Sequence, residues 1–204
     1  MDNVINLLNM HHNFFFAAKK YADLTAQPTP EDSRAWSQIL VSLLTGIPGL
    51  GRRKGSDLAD GSDVKSANTW GAIDSPRFNG CIKAGTLSPY ANNMSYLDRT
   101  PHLFFVLWDV EPNSNTERTR IWAVQTQVDQ LFRDVCSLWY DRRYNRSILS
   151  NNFQLHAPIN RNSNTFSNNC GTLDYPLLFE ALWNGNSYKI TYYAPEVLTN
   201  GFCH

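Results

Sequence analysis

Six consecutive apolar residues, Leu103-Phe104-Phe105-Val106-Leu107-Trp108, leave this segment no polar face. An extended segment of that kind belongs in the middle of a sheet, covered on both sides. A polar stretch from Glu111 to Arg118 follows it. Thr119-Arg120-Ile121-Trp122-Ala123-Val124 then reads as the strand that returns beside it. Residues 126–142 carry Val128, Leu131, Phe132, Val135, Leu138 and Trp139 at i, i+3, i+4 and i+7 spacing. That is the stripe of a helix packed on a sheet. Residues 3–24 read as another helix, on Val4, Leu7, Leu8, Phe14, Phe15, Ala18 and Tyr21. A third starts at Pro30, with Glu31 and Asp32 near its positive end. It buries Trp36, Ile39, Leu40, Leu43 and Leu44, and Gly46 and Pro48 end it. Tyr188, Ile190 and Tyr192 alternate like a strand with one buried face. The 204 residues show no internal repeat. The expected architecture is one α/β domain over residues 1–204, a central mixed β-sheet flanked by helices.

The chemistry concentrates in Gly55-Ser56-Asp57-Leu58-Ala59-Asp60-Gly61-Ser62-Asp63-Val64-Lys65. Asp60-Gly61 between short alternating runs predicts a hairpin. Asp63 and Lys65 are two apart, so a strand points both to one face. A two-residue loop would put Asp57 on the other face. A three-residue loop, with Gly61 at φ > 0, pairs Leu58 with Ser62 and Asp57 with Asp63. We adopt the second register, which gathers two carboxylates and one ammonium. Like charges facing each other destabilise a sheet. A divalent cation held between them reverses that, and Mg²⁺ suits one or two carboxylates with phosphate and water oxygens. The lysine then stabilises charge on a phosphate or helps activate water. The implied reaction is metal-assisted phosphodiester hydrolysis.

Asp57 followed by Asp63-Val64-Lys65 resembles the PD-(D/E)xK nuclease motif, specifically its type II restriction endonuclease branch. The resemblance implies a restriction-endonuclease-like core, Mg²⁺ dependence and a double-stranded DNA substrate. Asp57 and Asp63 match the two acids and Lys65 the lysine. Val64 would add a main-chain oxygen to the metal. Ser56 stands where the motif has proline, and the acids are close in sequence, so Asp60 or Glu31 is an alternative first acid. The sharp match covers residues 51–70. The runs Asn152-Phe153-Gln154-Leu155-His156-Ala157-Pro158, Cys170-Gly171-Thr172-Leu173 and Tyr175-Pro176-Leu177-Leu178 also resemble parts of restriction enzymes.

Around this motif, other residues suit nucleic acid. Arg52, Arg53 and Lys54 lie just before it and can carry DNA phosphates toward the site. Residues 145–175 read as a polar loop region rich in asparagine. Asn160, Arg161 and Asn162 within it have the chemistry of base-edge readout. Asn68, Trp70 and Arg77 can also face DNA, though no pattern selects them. His11 and His12 are adjacent and point apart, which suits surface or interface positions better than a metal pair. Residues 46–51 are glycine-rich but lack the Lys-Ser/Thr of a phosphate loop. The formal net charge is zero, which disfavours an indiscriminate polyanion binder and allows a local basic cleft. Cys81, Cys136, Cys170 and Cys203 form no C-x-x-C pair, and we expect reduced thiols, a cytoplasmic location and no membrane span. Palindromic sites match two-fold symmetry, so a homodimer is expected, joined through the amino-terminal helix or the 126–142 helix. Two alternatives stand. One is a structure-specific or repair nuclease on the same core. The other is a non-catalytic carbohydrate-binding module, suggested by six tryptophans and many asparagines, which would be all-β.

Overall fold

A computed structural model describes residues 1–30, 32–51, 55–70, 75–82, 94–158 and 163–199. In chain order the elements are α1 (Asp2–Thr25), α2 (Arg34–Thr45), β1 (Asp63–Asn68), β2 (Arg77–Asn79), a 3-10 helix (Met94–Arg99), β3 (Leu103–Glu111) and β4 (Thr116–Val124). Then come α3 (Gln130–Tyr144), β5 (Gln154–His156), β6 (Thr165–Asn168), β7 (Gly171–Asp174), β8 (Leu177–Trp183), β9 (Tyr188–Tyr193) and a 3-10 turn (Pro195–Leu198). The central sheet runs β1-β3-β4-β8-β9. β1 is parallel to β3 and the other neighbours are antiparallel. This is the expected α/β class with a mixed central sheet, and its helices argue against the all-β carbohydrate module. No helix among the described residues is long and apolar enough to cross a membrane.

The apolar run is buried on both faces because the sheet is covered on both. Phe104, Val106, Trp108, Ile121 and Ala123 pack with α1 and α2. Leu103, Phe105, Leu107, Trp122 and Val124 pack with α3 and with a second sheet, β2-β5-β6-β7. That second sheet corrects the expectation of a polar loop over 145–175. Each of its strands gives the core one large side chain, Phe78, Leu155, Phe166 or Leu173. Strands of three or four residues among asparagines carry no periodicity to count.

The helices rotate relative to the stripes expected of them. α1 buries Val4, Leu8, His11, Phe15 and Ala22, while Phe14 and Tyr21 are exposed. His11 is therefore a core residue, packed against Trp36, Trp70 and Trp108 and held neutral, with burial pushing its pKa down to about 4. Trp70 is likewise buried, its indole donating to the Asp109 carbonyl at 2.9 Å, and so does not face DNA. α2 begins at Arg34 rather than Pro30, and its buried face is Ser37, Leu40, Val41 and Leu44, not Ile39 and Leu43. Small hydroxyl residues let α2 approach the sheet closely. The Ser33 and Ser37 hydroxyls meet Ser66 of β1 at 2.5 and 3.0 Å, and Ser37 accepts the Trp108 indole N–H at 2.9 Å.

β3 and β4 also bury a charged cluster. Arg118 makes a two-pronged pair with Asp109, at 3.0 and 2.8 Å, and Arg120 reaches the same carboxylate at 2.7 Å. Arg120 also donates to the carbonyls of Pro158 and Ser163.

Candidate active site

The turn forms as expected up to Leu58. The Gly61 N–H bonds the Leu58 carbonyl at 3.1 Å, and the Leu58 N–H bonds the Ser62 carbonyl at 3.1 Å. Gly61 has φ +98, and a Cβ there would lie 2.8 Å from the Arg99 carbonyl, so only glycine fits. Beyond Leu58 the two arms part, which corrects the hairpin. Leu58 bridges to Gly49, and the second arm enters the central sheet as β1. Asp57 and Asp63 are therefore not a cross-strand pair of one hairpin.

Their carboxyl groups still converge. The Val64 N–H donates to Asp57 Oδ2 at 2.9 Å and to Asp63 Oδ1 at 3.1 Å. Lys65 Nζ lies 2.9 Å from Asp63 Oδ2, and the Tyr96 hydroxyl donates to the same oxygen at 3.1 Å. Gln38 Nε2, from α2, donates to Asp57 Oδ1 at 2.7 Å. Asp63 bonds β3 through its N–H, at 3.1 Å to the His102 carbonyl. Alternation along a strand then turns the N–H and C=O of Val64 to the open edge, toward the carboxylates. The cluster opens into a cavity of about 660 Å³ whose walls include Arg34 of α2, Asn79 of the second sheet and Gly80 just after it.

The two carboxyls are electrostatically unequal. Burial, then hydrogen bonding to Asp63, pushes Asp57 up to about 7. Burial acts on Asp63 too, but the hydrogen bond from Asp57 and the nearby Lys65 ammonium outweigh it and hold its carboxyl below the ordinary value. The pair therefore gives up its last proton only as pH approaches about 7. These features fit a divalent ion: a half-buried and a buried carboxylate that repel each other when both are charged, and a main-chain oxygen on the same edge. Among the described residues no group of three or more His, Cys, Asp and Glu side chains could hold a metal. Two carboxylates are a set that Mg²⁺ accepts when other oxygens complete its shell.

Other sequence-derived candidates fall differently. Asp60 spends both oxygens on Ser62, 2.9 Å from its N–H and 2.8 Å from its hydroxyl, so it closes the turn. Asn68 lines the cavity, but its side-chain oxygen takes the Trp70 N–H at 2.6 Å. Glu31, Arg52, Arg53, Lys54, Asn160, Arg161, Asn162 and Cys203 lie outside the described residues. The thiols of Cys81, Cys136 and Cys170 are free. Sequence reasoning missed Gln38 and Tyr96. Gln38, a polar residue beside the buried stripe of α2, carried a faint signal, whereas Tyr96 sits in an irregular stretch that carried none.

The family model described as MamI restriction endonuclease matches residues 20–182. A curated relative, the "Type II restriction enzyme MamI" of Microbacterium ammoniaphilum, is 34% identical over 179 residues. The match covers 80% of this chain and 56% of the relative, so the chain spans little more than half that protein's length.

Proposed function

The chain belongs to the MamI restriction endonuclease family, and from that premise we propose that it is a Mg²⁺-dependent, sequence-specific endonuclease of double-stranded DNA. The observation that carries this reading is the meeting of Asp57, Asp63 and Lys65 at one cavity wall. A relative named as a type II restriction enzyme supports site-specific rather than structure-specific cutting.

Asp57, Asp63 and the Val64 carbonyl would hold the metal. When bound, the ion stabilises charge on the phosphate and lowers the pKa of its water. Gln38 and Tyr96 orient the two carboxylates. Lys65, which pairs with Asp63 at 2.9 Å, would be the group positioned to meet the non-bridging phosphate oxygen or the attacking water. Arg52, Arg53 and Lys54 are assigned to backbone phosphates, and Asn160, Arg161 and Asn162 to base edges, on their chemistry and position in the sequence.

We assign a homodimer as the acting unit. Exposed Met10, Phe14, Tyr21 and Leu24 of α1, with Ile39 and Leu43 of α2, supply apolar surface for it.

Digestion of a defined plasmid with Mg²⁺, followed by sequencing of the ends, tests the function. The proposal expects discrete fragments ending at one short sequence. Intact plasmid, or ends scattered without sequence preference, would overturn it.

A further inference from the structure

The second sheet has a core face and an outer face. Phe78, Leu155, Phe166 and Leu173 point inward, so their neighbours along each strand point out. The strand register sets Arg77, His156, Ser167 and Thr172 in one row across all four strands, with Asn79 opposite Gln154. The remaining outward positions, Thr165 and Asp174, are polar too.

This face continues from the site. Asn79 lines the 660 Å³ cavity that holds Asp57, Asp63 and Lys65. It also lines an adjoining open cleft of about 530 Å³, with Arg77, Asn152 and Gln154. The two spaces share Ala67, Asn68 and Asn79 in their walls, so a ligand in the first can extend along the second.

The amides there are pre-set. Asn79 Oδ1 accepts from Gln154 Nε2 at 2.7 Å and from Asn152 Nδ2 at 3.0 Å. Asn152 Oδ1 in turn accepts the Gly80 N–H at 2.7 Å. With its oxygen committed on two sides, Asn79 presents its Nδ2 donor outward. Gln154, its nitrogen committed, presents its Oε1 acceptor beside it. Adjacent donor and acceptor groups of fixed orientation match the edge of a base in the major groove. Their orientation is set before the ligand arrives, which reduces the entropy lost on binding.

We propose that the outer face of the second sheet, centred on Asn79 and Gln154, is a base-reading surface for the duplex whose backbone enters the cavity. The inference rests on the endonuclease reading and adds to it further residues that read the sequence. Asn79 and Gln154 make the base contact, and Asn152 is a positioning residue for Asn79.

The test is cleavage of a randomised duplex library with Mg²⁺, sequenced at the cut ends, by the parent, Asn79→Ala, Gln154→Ala and Asn79→Asp. The aspartate keeps the acceptor that holds the amide chain, turns the donor into a second acceptor and adds a negative charge, so its readout is the base preference rather than the rate, and thermal melts confirm that each variant folds. We expect the alanine variants to cut the parent's preferred site about 5- to 150-fold more slowly and all three variants to accept other bases at one position. A specific parent whose variants keep its preference unchanged, at any rate, overturns the inference and leaves the endonuclease reading standing. A parent that cuts no duplex in the library overturns both.

Discussion

Replacing Asp57 by asparagine removes the charge that the metal-free site accommodates worst. The Asp57 pKa is raised from 3.8 to about 7, by burial and then by its hydrogen bond with Asp63. The unfolded chain releases this proton near pH 4 and the folded chain near pH 7. Between those values the native state binds more protons, so stability falls as pH rises. The contribution is complete below about pH 4 and gone above about pH 7. At roughly 1.4 kcal/mol per pKa unit, the ceiling is about 4 kcal/mol. Asp57 is only half-buried, and solvent screening brings this to about 2 kcal/mol. Asparagine can keep the Val64 N–H bond through its oxygen and donate to Gln38 once that amide turns over. Urea melts in EDTA should therefore show equal stability near pH 4. Asp57→Asn should gain about 2 kcal/mol over the parent by pH 8. Ca²⁺ at a hundredfold excess over its Kd should then stabilise the parent by about 2.7 kcal/mol, and the variant by much less. Asp60→Asn should leave the cation response intact, because Asp60 serves the turn. A gap that does not widen with pH, or a full Ca²⁺ response in Asp57→Asn, would refute the reasoning.

Gln38→Ala removes a 2.7 Å donor to Asp57 Oδ1. Losing such an outer partner should weaken metal affinity or activity about 10- to 100-fold. A Mg²⁺ titration of cleavage within twofold of the parent would refute that role. Asp109→Ala leaves Arg118 and Arg120 buried without their shared carboxylate, which should cost about 3–5 kcal/mol. An unchanged urea midpoint would show the cluster to be energetically idle. Alanine at Asn160, Arg161 or Asn162 should lose about 1–3 kcal/mol of base discrimination and relax one position of the site. Cleavage-site sequencing with an unaltered preference removes those residues from readout.

The central sheet was legible because its signals are long. Leu103 to Trp108 is apolar without a break, and Thr119 to Val124 follows at hairpin distance. The second sheet was not, because a strand such as Gln154–His156 shows a single buried residue between polar ones. The acids and lysine were legible as residue types at a spacing, and the turn was legible at Gly61. The route by which Asp57 reaches Asp63 was not. It depends on Gly49 pairing with Leu58 and on Gln38 reaching across from α2, which are contacts between distant segments. Buried charge was equally hidden. Arg118 and Arg120 look like solvent residues until Asp109, on the facing strand, is set against them.

The carboxylate pair and Lys65 on the edge of β1 are assigned as the cleavage centre. Lys65→Ala tests that assignment most directly, with cleavage in Mg²⁺ and duplex binding in Ca²⁺ measured on one preparation. With the ammonium assigned to charge developing at the phosphate, its loss should abolish cleavage and leave binding within a few-fold. Cleavage within about tenfold of the parent, where loss of one such donor typically costs 10²–10³, would contradict the claim.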